Sequence, residues 1–100
     1  MIRLTRSYYR SSTNVPWHYE IVKTTMIHQV IQQFTNSGIV NESKIVSEDG
    51  LTITYTLTFP NQECLDQYQT NTSLLEYWRN RNRYCESVNI TIGPANLETI

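Results

Sequence analysis

The chain is poor in the residues that announce a chemistry. Cys64 and Cys85 are its only cysteines. They make no CxxC and no Cys/His quartet, so neither a structural zinc site nor a metal-chaperone motif is encoded, and no metal or cofactor is expected. With three glycines and three prolines there is no low-complexity tract, and no linker or internal repeat is visible. No apolar run approaches the ~20 residues of a membrane span, and Met1 to Arg6 lacks the apolar stretch of a signal peptide. The net charge of -1 has no excess of either sign to draw the chain to nucleic acid or an acidic membrane. A Gly-rich phosphate loop, a Ser/His/Asp order and a close carboxylate pair are all missing. These absences predict a cytoplasmic protein with two reduced, half-buried thiols and neither nucleic-acid nor membrane partners.

What is present begins with Leu51-Thr52-Ile53-Thr54-Tyr55-Thr56-Leu57-Thr58-Phe59. Large apolar residues take every odd position and threonine every even one. Strand side chains alternate between two faces, so this run has one oily face and one hydroxyl face. Threonine and the aromatics also suit a pleated backbone. One hundred residues make a single domain, residues 1–100. A chain this short buries about 60–70% of its unfolded surface, so burial shared with a second copy would help it.

Taken in order, Ile2 to Tyr9 predicts a first strand, with Ile2, Leu4, Arg6 and Tyr8 on one face. Arg10 to Pro16 is a loop, and Trp17 to Val22 is left open between a strand, a lid and a helical turn. A helix follows, capped by Thr24 or Thr25, with Met26, Ile27, Val30, Ile31 and Phe34 inward and Gly38 ending it. Ile39 to Ser47 predicts a second strand, joined by the turn Ser47-Glu48-Asp49-Gly50 to the central one. Asn61 opens a second helical region that carries Cys64, Leu65 and Tyr68. Thr70-Asn71-Thr72 interrupts it, and Ser73-Leu74-Leu75-Glu76 reads as a capping box. The renewed helix is expected to bury Leu74, Leu75, Trp78 and Cys85. Val88, Ile90 and Ile92 alternate as a fourth strand, and the last six residues read as a tail or a dimer-contacting arm.

This order, βαββαβ, predicts an α+β, ferredoxin-like domain: a four-stranded antiparallel sheet with two helices on one face. The opposite face then shows Thr5, Ser7, Tyr9, Thr52, Thr54, Thr56, Thr58, Asn89 and Thr91. A freely solvated face carries Lys and Glu as well, so the threonine face is expected to be covered by a second subunit.

Several polar residues fall where core is expected. With Leu74 at zero, Trp78, Cys85, Arg81 and Asn82 lie at about 40°, 20°, -20° and 80° around the helix. Arg81 and Asn82 therefore sit on or beside the buried face and need partners. Arg6 on the helix side of the first strand poses the same problem. With Tyr8, Tyr55 and Trp78 it outlines an amphipathic ligand pocket, with a small aromatic ligand as the matching occupant; packed core is the plainer reading, and the one favoured for Trp78. His18 is the one candidate proton shuttle; His28 falls on the solvent side of its helix. Glu76, Arg79, Arg83 and Glu86 read as a solvated salt-bridge stripe.

Phe59-Pro60-Asn61 after the third strand, the polar break, and Leu74-Leu75-Glu76-Tyr77-Trp78-Arg79-Asn80-Arg81 complete a pattern over most of the chain. In size, element order and these stretches it resembles the dimeric α/β-barrel superfamily, nearest its antibiotic-biosynthesis-monooxygenase-like members. The resemblance implies two sheets paired face to face into a barrel, and a pocket between sheet and helices in each subunit. Members include cofactor-free oxygenases, haem-degrading enzymes and small-molecule isomerases. Haem-degrading relatives place an Asn on the first strand and a Trp and a His in the second helical region. Trp78 fits that pattern, but the Asn and the His are missing, which counts against haem. Two functions are expected on this basis. The first is small-ligand binding or scaffolding by a homodimer without catalysis, favoured because no convincing base is in view. The second is a cofactor-free monooxygenase or isomerase acting on an aromatic or polyketide-like compound.

Overall fold

The alternating run becomes the middle of an antiparallel sheet. Strand β3 (Thr52–Phe59) pairs along its whole length with β1 (Ile2–Tyr9) and on its other side with β2 (Asn41–Val46). The computed structural model describes residues 1–22 and 25–100. Residues directly opposite in a ladder share a face. Ile2 and Phe59, Leu4 and Leu57, Arg6 and Tyr55, and Tyr8 and Ile53 are such pairs, and every strand residue of the hydrophobic core belongs to this face.

Among the described residues the sheet has five strands where four are expected. Its order is β2-β3-β1-β4, with β4 (Thr91–Ile92) beside the end of β1 and β5 (Asn96–Thr99) beside its start. The residues expected as a tail are therefore the lower half of an edge strand. Ile92 stands opposite Tyr8, and the ladder resumes with Asn96 opposite Thr5, one residue longer on the edge than on β1. This is a bulge. It turns Leu97, opposite Leu4, to the helix side and aims Glu98 at Arg3, whose Nη2 donates to Oε2 at 2.9 Å. That is the single ion pair among the described residues; the expected stripe Glu76, Arg79, Arg83 and Glu86 is exposed and unpaired.

Among the described residues there are four helical segments, because the second helical region is broken at Asn71 as expected and a further turn precedes α2. The undecided Trp17–Val22 stretch holds one turn, α1 (His18–Ile21). Helix α2 (Thr25–Asn36) buries Ile27 and half-buries Val30, Ile31 and Phe34. Its expected cap at Thr24 or Thr25 and the inward Met26 lie outside what is described. Gly38, with φ of 78°, closes it: Gly38 N–H donates to Thr35 O and Ile39 N–H to Phe34 O, the paired bonds of a Schellman end. Asn61 caps α3 (Gln62–Thr70) as expected, accepting from Cys64 N–H at 2.9 Å.

Helix α4 (Thr72–Ser87) corrects the capping box. Asn71, not Ser73, is the cap, accepting from Leu74 N–H at 3.0 Å. Leu75, expected inside, is 41% exposed, because it lies about 100° around the helix from the fully buried Leu74. At the far end Asn89 takes a left-handed φ of 61°, and Ile90 N–H donates to Cys85 O at 2.8 Å. Asn89 thus ends a helix and is not a member of the threonine face. Both cysteines are free, Cys85 fully buried and Cys64 half-buried.

The core is divided. Ile27, Val40, Phe59, Leu65, Tyr68 and Leu74 form one buried cluster; Tyr8, Trp17, Ile53, Cys85 and Ile90 form another. On the helix face of β1, Leu4 packs against the first and Tyr8 belongs to the second. Between them stands Arg6. A charged side chain cannot be sealed into either cluster without a partner, so the sequence itself interrupts the core there.

No described helix is long and apolar enough to cross a membrane.

Candidate ligand cavity

A cavity of about 440 Å³ lies where the core divides. Its sheet wall is the row Arg6–Tyr55–Lys44 and the neighbouring row Leu4–Leu57–Glu42, which the β1–β3–β2 registers place side by side. Helix α4 supplies Tyr77, Trp78, Arg81 and Cys85; α3 supplies Tyr68, α2 supplies Ile31, and α1 with its leading residue supplies Trp17, His18 and Tyr19. Tyr77, Arg81 and Cys85 are four residues apart, so one stripe of α4 faces the sheet.

The segment around α1 is tied down on both sides. Arg10 donates from Nε to Gly50 O at 2.8 Å and from Nη1 to Val15 O at 2.6 Å. Its guanidinium also lies 4.4 Å from the centre of the Trp17 ring, a cation–π distance. Tyr84 donates its hydroxyl to Pro16 O at 2.5 Å. These contacts bury Trp17 to 4% exposure and hold His18 against two tyrosines, 5.1 Å from the Tyr77 ring and 5.7 Å from the Tyr84 ring.

Three buried side-chain atoms make no hydrogen bond among the described residues: Arg6 Nε, Trp17 Nε1 and His18 Nδ1. All three residues line this one cavity. Burial lowers the His18 pKa from its ordinary value, and the Arg81 charge lowers it further, so its imidazole is neutral at neutral pH. Burial pushes the phenols of Tyr55, Tyr68 and Tyr77 up, so all three stay protonated; Arg81 pulls the latter two the other way. The Glu42 carboxyl is raised by desolvation against the opposing pull of Lys44. The Cys85 thiol is also pushed up by burial, which leaves it a packing residue and not a nucleophile.

Of the seven residues expected at a pocket, Arg6, Tyr8, His18, Tyr55, Trp78 and Arg81 line this cavity. Asn82 does not. It is exposed, and its Oδ1 accepts from Arg81 Nε at 3.2 Å and Nη2 at 3.0 Å. The Arg81 guanidinium lies over the Tyr8 ring at 5.4 Å. Trp78, expected as core, is half-buried: it packs on Tyr68 with ring centres 5.3 Å apart, and both residues line the cavity. His28 is exposed, as expected, and stands at the rim.

Sequence reasoning missed Trp17, Tyr77, Glu42 and Lys44. Glu42 and Lys44 are two apart on a strand, which places both on one face; the register of β2 was needed to show that this is the helix face. Lys44 Nζ rests 3.5 Å from the centre of the Tyr19 ring.

The opposite sheet face carries the expected threonines. Thr52, Thr54, Thr56 and Thr58 are each half-buried within the single chain, and Thr54 shares a 2.8 Å hydroxyl hydrogen bond with Ser7. Ile45, opposite Thr54, is 71% exposed there. Among the described residues no group of three or more His, Cys, Asp or Glu is placed to hold a metal ion.

No family model, no curated protein and no solved structure matches this chain.

Proposed function

We propose that this is a ferredoxin-like protein that pairs two copies through the threonine face, as in the dimeric α/β-barrel superfamily, and binds a small aromatic molecule in the cavity without transforming it. The observation that carries the binding reading is the convergence of unpartnered buried polar atoms on one cavity. A buried polar group without a partner costs about 1–3 kcal/mol. Three of them around one space argue for a space that a polar guest or solvent enters. The walls are aromatic with a few polar anchors, the usual make-up of a ligand site, and the volume falls in the usual range.

The ferredoxin-like reading rests on the strand order, with β4 and β5 together taking the fourth place. Pairing through the open face is supported by its composition. Rows such as Ser43–Thr56–Thr5–Asn96 cross it with no charge, and Ile45 and Tyr9 stand exposed on it. A dimer burying ~1,200 Å² or more in total is the size of a stable interface.

A second reading, a cofactor-free oxygenase or isomerase on an aromatic compound, is favoured by one observation: a neutral histidine packed at a tilt against Tyr77 at the cavity wall. It ranks second because no described carboxylate bonds to and orients His18.

Trp17 and Trp78 are the only tryptophans, and both line the cavity. Titration with small aromatic compounds should therefore change intrinsic fluorescence saturably. No response from any of them would remove the binding reading. For assembly, sedimentation should show a dimer at micromolar concentration, and Thr54→Lys and Thr56→Lys should each shift it toward monomer, because the new ammonium would be buried unpaired. A wild-type monomer would remove the pairing.

A further inference from the structure

We infer that the cavity selects an aromatic anion: a flat ring system bearing one carboxylate or comparable acidic oxygen, held by Arg6 and Arg81. This rests on the small-ligand reading above and sharpens it.

The charge of the cavity departs from that of the chain. The whole sequence carries -1, yet among the described residues three cations, Arg6, Lys44 and Arg81, line the cavity with Glu42 as the one carboxylate. Neither arginine has a carboxylate partner among the described residues. Arg81 bonds only the amide oxygen of Asn82, which leaves its charge uncompensated. In a partly desolvated cleft such charges act more strongly than at the surface.

The hydrogen-bonding inventory points the same way. Arg6 Nε and Trp17 Nε1 are donors that never accept, and both are buried without a partner. Tyr55, Tyr68 and Tyr77, which line the same cavity, stay protonated and keep donors to offer. A site of donors and fixed positive charge is matched by an acceptor of negative charge, and guanidinium meets carboxylate with two parallel bonds. The faces of Tyr55, Tyr77 and Trp78 suit a flat apolar body.

The test uses three probes with one ring system: 2-naphthoate, neutral 2-naphthamide and the 2-naphthylmethylammonium cation. Binding to the full chain is followed by tryptophan fluorescence and calorimetry. Naphthoate should bind about tenfold or more tightly than naphthamide, the effect of one charge-assisted hydrogen bond, and the ammonium most weakly. Arg6→Gln and Arg81→Gln should each collapse the preference for naphthoate while naphthamide still binds. Glu42→Gln should tighten naphthoate by removing a like charge from the cavity. Equal binding of naphthoate and naphthamide, or strongest binding of the ammonium, would overturn the anion inference and leave the ligand-binding reading in place. Failure of all three probes would overturn both.

Discussion

Gly93 donates its N–H to Ser7 O at 2.8 Å, and a Cβ built on Gly93 would stand 2.9 Å from that same oxygen. The closeness belongs to the bulge that ends β4 and lets β5 re-enter the ladder in shifted register. Only a residue without a side chain fits against that carbonyl.

Gly93→Ala should therefore destabilise the fold by about 1–3 kcal/mol, the cost of forcing extra volume into a packed place. Urea denaturation measures it. An unchanged midpoint would mean that the edge strand gives way freely.

The break between α3 and α4 offers a cleaner comparison. Asn71→Ala removes the side chain that accepts from Leu74 N–H and should cost about 1 kcal/mol. Ser73→Ala, at the residue that sequence alone selects as the cap, should change stability by less than about 0.5 kcal/mol, as exposed substitutions away from a cap do. Equal losses at the two sites would restore the capping box.

Trp78→Ala separates wall from core. Phe59 is 0% exposed, and Phe59→Ala should cost about 3–5 kcal/mol. Trp78 is half-buried and borders empty space, so its truncation adds to a cavity already present and should cost less, about 1–3 kcal/mol. A urea midpoint as low as that of Phe59→Ala would place Trp78 in the core after all.

His18 predicts a pH dependence whose sign follows from its lowered pKa. Below its unfolded value of 6.5 the unfolded chain takes up the proton more readily than the folded one. Stability from this group is full above pH 6.5 and is lost as pH falls toward the folded pKa. Glu42, with a raised pKa, acts in the opposite sense at lower pH, so the comparison must be with a variant. His18→Gln should flatten the slope seen below pH 6.5 in denaturation of the wild type. Identical slopes would show that His18 is not desolvated against Arg81.

Much of the local structure was legible in the chain. Ile2 to Tyr9 carries its strand bounds unchanged, because alternation and propensity agree over the whole stretch. Asn61 and Gly38 act as the cap and stop that their chemistry suggests, since each depends on neighbours within a few residues. The opposition of Leu4 and Leu57 to Thr5 and Thr56 across two faces follows from a period of two. Five of the seven expected pocket residues meet through such local faces: Arg6 and Tyr8 share a strand face with Tyr55 opposite Arg6, and Trp78 and Arg81 share a helix face; His18 arrives with the α1 segment that Arg10 and Tyr84 tie down. Asn82 failed because about 80° from the centre of a buried stripe is its margin, and the Arg81 side chain settled it outside by taking its amide oxygen.

Strand alternation, helix faces and terminal punctuation are properties of neighbouring residues, so the sequence by itself determined the long strands β1 and β3, the helical regions around α2, α3 and α4, the two faces of the sheet and the intrusion of Arg6 into the core. Only the tertiary structure decided that the last residues form β5, that Trp17 is buried, and that Glu42, Lys44 and Tyr77 meet the arginines around one space. Those outcomes depend on contacts and register between segments far apart in the chain: the bulge at Gly93 sets the register of β5, the β2–β3 ladder places Glu42 and Lys44, and Arg10 and Tyr84 hold the Trp17 segment; no local pattern encodes them.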